Sequence, residues 1–353
     1  MNRSKVTDSR KGAARTAIDL FAGCGGLSLG LRQAGFDVLC AIEIDDQAIQ
    51  TYRANHPTVL SKGIDIQMVN AATLMKELKL KRGELDLLAG CPPCQGFSAL
   101  RTRNGSKRNR DKRNDLVGEM LRFTQAFLPR SIMMENVPRL ANHRSFRELC
   151  DGLRRLKYEV KFDIKDAADF GVPQRRRRLI LLASRGCDIP FAKVSRANRT
   201  VRQAIGNLPD VSVAKDPLHA MPARQRSKRV EKLIRDIPKN GGSRGDLPKS
   251  RQLACHKKSD GFNDVYGRMA WDKVAPTITG GCFNPSKGRF LHPVKNRSIT
   301  MREAALLQSF PRSYKFDPSI GIQAVSLMIG NALPPEFIRR HALKIIEVLP
   351  RRN

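Results

Sequence analysis

The chain has 353 residues, 41% of them hydrophobic, and a formal net charge of +32. That length and apolar fraction suit one large domain with a real core plus a smaller one. The charge draws polyanions and puts nucleic acid first among partners, and no apolar run reaches the roughly eighteen residues needed to cross a membrane.

Residues 1–15 are polar and basic, without the apolar stretch of a secretory signal, and read as a flexible basic arm. Residues 16–21 then read as a strand that runs into Ala22-Gly23-Cys24-Gly25-Gly26, followed by a helix over 27–34. A second strand covers 38–42 and ends at Glu43, and a helix follows over 46–55. Glycines at the first turn of a β-loop-α-β unit let a backbone approach a ligand closely. An acid at the end of the next strand can accept from ribose hydroxyls, so this unit reads as a nucleotide-type cofactor site.

Residues 85–89 read as a short buried strand ending in Gly90-Cys91-Pro92-Pro93-Cys94-Gln95-Gly96-Phe97-Ser98. Two prolines stiffen the backbone just before Cys94, and a stiff loop at a strand end can hold a nucleophile in place. Cys91 and Cys94 also have blander readings, as an inconsequential loop pair, a redox pair or half a zinc site. Zinc needs a second ligand pair, and the chain has none at suitable spacing. Its eight cysteines show no disulfide framework, which suits free thiols in a reducing, cytoplasmic setting. Seven Lys/Arg follow in 101–113, reading as a loop that closes on a polyanion or as a solvated stretch.

A helix over 116–128 leads to a strand over 131–134 and then Glu135-Asn136-Val137-Pro138. A helix over 146–156 follows. Gln174-Arg175-Arg176-Arg177-Arg178 precedes a strand over 178–183. Alternating strands and helices predict a doubly wound α/β sheet, with strand ends along one edge. Cys94, Glu135 and the arginine run would converge there beside the glycine loop. Taken singly, Glu135 would be a surface carboxylate and the arginines a solvated patch.

Near Cys187 the composition changes. Residues 196–258 hold sixteen Lys/Arg against five Asp/Glu, with poor periodicity, and read as a second, loop-rich, basic domain. Patterning returns at 297–303, and 338–349 reads as a closing helix.

With these motifs in order, the chain resembles the DNA (cytosine-5-)methyltransferases over 16–186 and 265–350. The resemblance implies a Rossmann-like S-adenosylmethionine-dependent fold with a smaller, loop-rich target recognition domain. It places that domain at 187–319, with a variable core about 187–264, between a catalytic domain over 16–186 and a return over 320–353. It implies Cys94 as nucleophile, with Glu135, Arg176 and Arg178 completing the catalytic set. It implies Asp19, Phe21, Gly23, Gly25, Gly26, Glu43, Ile44, Asp65, Pro93, Leu116, Asn331 and Ala332 as cofactor-binding residues. Ile44 stands where the family often has an aromatic, and the segment around Asp65 carries an extra Ile. Gln95, Ser98, Arg101 and Arg103 are implied to touch DNA. The expected reaction is methyl transfer to C5 of a flipped-out cytosine in duplex DNA, without a metal, by a monomer paired in function with a restriction endonuclease. Two rival readings remain: a tRNA cytosine-5-methyltransferase on the same scaffold, and a catalytically inactive DNA-binding relative.

Overall fold

The computed structural model describes residues 14–93, 116–221, 225–253 and 264–350. Seven strands build one sheet: β1 (Arg15–Leu20), β2 (Phe36–Glu43), β3 (Leu60–Gly63), β4 (Leu87–Gly90), β5 (Ser131–Asn136), β6 (Glu159–Asp166) and β7 (Arg177–Ser184). Their spatial order is β3-β2-β1-β4-β5-β7-β6. The first five pair parallel with one another, and β7 lies antiparallel between β5 and β6. The sheet is therefore mixed. The connection from β6 to β7 is too short for a helical crossover, and a short connection joins strands antiparallel.

This reversal corrects one part of the expected edge. The arginine run opens its strand instead of closing one. Antiparallel pairing returns it to the same edge as the C-terminal ends of β4 and β5. Strands β3 and β6 were not foreseen. Only Leu60 is apolar in β3, while β6 alternates Val160, Phe162 and Ile164 with charged residues, as a half-exposed edge strand does.

The period of two along each strand feeds two cores. Ala17, Leu87, Ala89 and Met133 face one core. It is closed by α1 (Gly26–Ala34) and by the last helix, for which Ile338, Ala342 and Ile345 supply the apolar stripe. Ile18, Leu20, Leu88, Ile132 and Met134 face the other, closed by the helices Val117–Phe127 and Arg144–Arg155. The last helix runs Pro335–Val348, starting earlier than its apolar pattern suggests because Pro is favourable in a first turn. It packs so closely on α1 that a Cβ on Gly30 would lie 2.5 Å from the Pro335 carbonyl.

A third core joins Cys24 and Ala48 to Val201, Met269, Ile278, Leu307, Phe310 and Ile329, so the region after 200 packs directly onto the glycine-loop side of the sheet. A small separate cluster of Leu233, Ile234, Ile237, Leu247, Tyr266 and Leu291 lies within it. Arg268, fully buried, pins that cluster by donating to the Ile234, Ile237, His292 and Lys295 carbonyls. No helix among the described residues is long and apolar enough to cross a membrane.

Candidate active site

Strand order reverses its direction of growth between β1 and β4, and the loops after these two strands open on one crevice. After β1 the chain turns through Phe21 (φ 64°), Gly23 (φ 55°) and Gly25 (φ 96°). A left-handed Phe is uncommon, and such strain is typical of a ligand site. Gly23 and Gly25 have different reasons to be glycine. A Cβ on Gly25 would meet the Tyr314 hydroxyl at 2.5 Å and His56 Nε2 at 2.6 Å, whereas one on Gly23 would meet nothing within 4 Å. Gly23 faces open cavity.

At the end of β2 the Glu43 carboxylate is held by three backbone donors: Gly23 N–H (2.8 Å) on Oε2, and the Ile44 and Asp45 N–H groups (both 2.9 Å) on Oε1. A carboxylate offers about four acceptor positions, so Oε2 keeps capacity for a further donor. The cavity between is lined by Phe21, Gly23, Gly26 and Glu43 from the first unit and by Leu327, Met328, Asn331 and Ala332 from the far end of the chain. Ile44, the next residue, and Ile64, whose N–H donates to the Glu43 carbonyl at 3.0 Å, are both exposed beside Glu43. A pre-held acceptor carboxylate, the open backbone at Gly23 and apolar walls suit a nucleoside-bearing ligand.

Beneath the loop, Asp19 is wholly buried and accepts from the Ser28 hydroxyl at 2.6 Å. Burial pushes its carboxyl up to about 7, against the pull of that hydrogen bond. Asp19 and Gly25 thus support the loop from below. Ile44, Asp65, Pro93 and Leu116 do not line the cavity. Asp65 instead caps a short turn, accepting from Gln67 N–H at 3.0 Å.

Beside this cavity lies a second group of side chains, along the same sheet edge. Glu135, in β5, is 2% exposed. Its Oε1 lies 2.9 Å from Arg178 Nε at the start of β7, and its Oε2 accepts from the Cys91 thiol at 3.1 Å. Burial raises its proton affinity, while Arg178, then Arg176, then the Cys91 thiol oppose the rise. Next to it, Asn136 Nδ2 donates to the Pro92 carbonyl at 2.9 Å. The loop that leads to Cys94 is therefore fixed at Pro92 by β5. Cys94, Gln95, Ser98, Arg101 and Arg103 lie outside the described residues.

Arg176, implied above to complete the catalytic set, makes contacts beyond the sheet edge. Its guanidinium donates to the Ile278 carbonyl at 3.0 Å and the Gly330 carbonyl at 3.1 Å, at 3% exposure. Gln174 is also fully buried; it donates to Gln308 at 2.8 Å and accepts from Ile278 N–H at 2.7 Å. The arginine run thus divides. Arg178 turns to Glu135, and Arg176 with Gln174 ties the sheet edge to the third core. Sequence reasoning missed Cys91, Asp45, Leu327 and Met328 as cavity-lining residues. For Cys91 the available signal was its place directly after a buried strand.

The family model of C-5 cytosine-specific DNA methylases matches residues 15–347. The Type II methylase M.HgiDII of Herpetosiphon aurantiacus is 37% identical over 337 residues, covering 90% of this chain and 91% of the relative. The Type II methyltransferase M1.HphI of Haemophilus parahaemolyticus is 35% identical, covering 94% and 87%. Among solved structures, a candidate prophage-encoded DNA modification methyltransferase from E. coli superposes with a TM-score of 0.68 at 26% identity, covering 95% of this chain and 99% of that one.

Proposed function

This chain belongs to the C-5 cytosine-specific DNA methylases and is a DNA cytosine-5-methyltransferase of the Type II modification kind, and we propose that it methylates a flipped-out cytosine within a specific duplex sequence through a covalent Cys94 adduct. The observation that carries this reading is the Glu135 carboxyl. It is buried, paired with Arg178 and set beside the loop that leads into Cys94.

Cytosine C5 is a poor nucleophile. Addition of the Cys94 thiolate at C6 breaks the ring's aromaticity and makes C5 enamine-like, splitting one hard step into easier ones. Glu135, with its raised proton affinity, holds a proton toward N3 and accepts from the exocyclic amine as charge develops. Arg178 keeps that carboxyl oriented and presents its remaining N–H groups to O2. Once C5 carries the methyl, a base removes the C5 proton and Cys94 leaves, restoring the ring. A stacked base cannot enter a buried edge of this kind, so the cytosine is extruded from the duplex.

S-adenosylmethionine, when bound, supplies the electrophilic methyl. Glu43 would accept from its ribose hydroxyls, Gly23 and Gly26 would let it lie against the backbone, and Phe21, Asn331 and Ala332 would wall it in. The basic charge attracts DNA, which in a cell places the enzyme on the nucleoid in the cytoplasm. A restriction endonuclease of the same specificity would be its functional counterpart.

Labelled S-adenosylmethionine incubated with duplex DNA or with tRNA tests the reading. Label is expected in DNA alone, at one sequence context on bisulfite sequencing, with loss of several orders of magnitude in Cys94→Ser. Label in tRNA alone, or rapid DNA methylation by Cys94→Ser, would overturn it.

A further inference from the structure

We infer that Cys91 is a positioning residue for this reaction: its thiol, set between the cofactor cavity and Glu135, holds the Glu135 carboxyl against Arg178 and governs its proton exchange. The inference rests on the reading that Glu135 handles a proton on the target base.

Cys91 is held by its neighbours in the sheet. As the first residue past β4, it donates from its backbone to the Leu20 carbonyl at 3.2 Å, which continues the pairing of β4 with β1. The next carbonyl, of Pro92, is held by Asn136. With its backbone pinned at both ends, Cys91 presents Sγ to Glu135 Oε2 at 3.1 Å while Arg178 Nε engages Oε1 at 2.9 Å. Oε2 thus takes the thiol's hydrogen while Oε1 stays in ion-pair contact with Arg178, and rotation about the last side-chain bond would disturb both contacts. The same Cys91 lines the cofactor cavity, so among the described residues it is a side chain shared by the two halves of the site.

Among the described residues, the groups that act on the Glu135 carboxyl are Arg178 at the start of β7, the charge of Arg176 just before it, and Cys91 just after β4. The thiol is a weak donor, so it steadies the ionised carboxyl slightly without committing it to that state. A group that must hold and release a proton in one cycle needs such a balance.

The test labels glutamate side-chain carboxyls with 13C and follows the Glu135 resonance, assigned by its absence in Glu135→Gln, across pH. Removing the thiol in Cys91→Ala is expected to move the Glu135 midpoint upward by about half to one pH unit, the size of one modest hydrogen bond to the charged form. Cys91→Val, which keeps bulk but no donor, carries the same expectation if the alanine variant does not fold. Cys91→Ser, which restores a donor, should recover at least half of the shift. The pH inflection of single-turnover methylation should follow the same order. An unmoved midpoint in the donor-free variants, or a serine variant that titrates like them, would overturn the proposal. The titration does not depend on turnover. A wild-type protein that methylates no DNA would sink the functional reading alone; active protein with an unmoved midpoint would sink only the role of Cys91.

Discussion

Asn136 Nδ2 reaches across from the end of β5 to donate to the Pro92 carbonyl at 2.9 Å, while its own Oδ1 accepts from Val137 N–H. One side chain thereby fixes the direction of the loop leading to Cys94 and the exit of the strand that carries Glu135. Asn136→Ala would leave a buried carbonyl without that donor and loosen the loop. Turnover should fall about a hundredfold, as small misplacements of reacting groups cost, with duplex affinity changed little. Single-turnover kinetics beside equilibrium DNA binding would check this, and equal losses in both would point to general unfolding.

Glu135→Gln should depress turnover far more than DNA affinity, because the carboxyl acts on charge that appears during reaction. It should be soluble and folded, since an amide fits the same volume between Arg178 and Cys91. A binding defect with a normal rate at saturation would contradict this.

Gly23→Ala and Gly25→Ala should fail in opposite ways. A Cβ on Gly23 points into open cavity, so the variant should fold, paying only the modest cost of a left-handed alanine, about 1–2 kcal/mol. Its affinity for S-adenosylmethionine or the product homocysteine analogue should drop. At Gly25 the Cβ would strike Tyr314 and His56, so thermal stability should fall first. Calorimetric titration and melting curves on both variants distinguish the two effects.

Asp19 makes stability depend on pH. Its folded value of about 7 lies above the ordinary 3.8, so its contribution is full below pH 3.8 and is lost as pH rises through about 7. Asp19→Asn can still accept from Ser28 and has nothing to ionise. The stability difference between Asn variant and wild type should therefore grow in favour of Asn from pH 4 to pH 8, by about 4 kcal/mol at most at 1.36 kcal/mol per unit. Urea unfolding across that range measures it; a constant difference would mean that Asp19 ionises normally.

Specificity should travel with a longer segment than composition suggests. We propose that residues after about 187 select the DNA sequence. The helix Lys228–Asp236 is held by Arg268, which donates to the Ile234 and Ile237 carbonyls, and by Leu291 in the same cluster. Val201 and Arg202 also donate to the Lys273 and Trp271 carbonyls. Exchanging 187–264 with a relative of different specificity should give poorly folded protein, whereas exchanging 187–297 should fold and move methylation to the relative's site. Bisulfite sequencing of a random library scores both; an active longer chimera that keeps the original site would place specificity elsewhere.

Local chemistry was enough to place the glycine loop, Glu43, the stiff proline turn and Glu135, because each follows a strand whose buried run is legible residue by residue. Sheet order, and with it the meeting of β4, β5 and β7 at one edge, depends on contacts between residues far apart in the chain. The edge strands β3 and β6 escaped notice because they bury little. The reversal of β7 was equally hidden. Nothing in Arg175 to Arg178 distinguishes an arginine that meets Glu135 from one that grips the Ile278 and Gly330 carbonyls, since alternation assigns faces but not partners. Cys91 shows the same division: its position after a strand was visible in the chain, but its contact with a carboxyl 44 residues away arose only when two parallel strands were laid side by side.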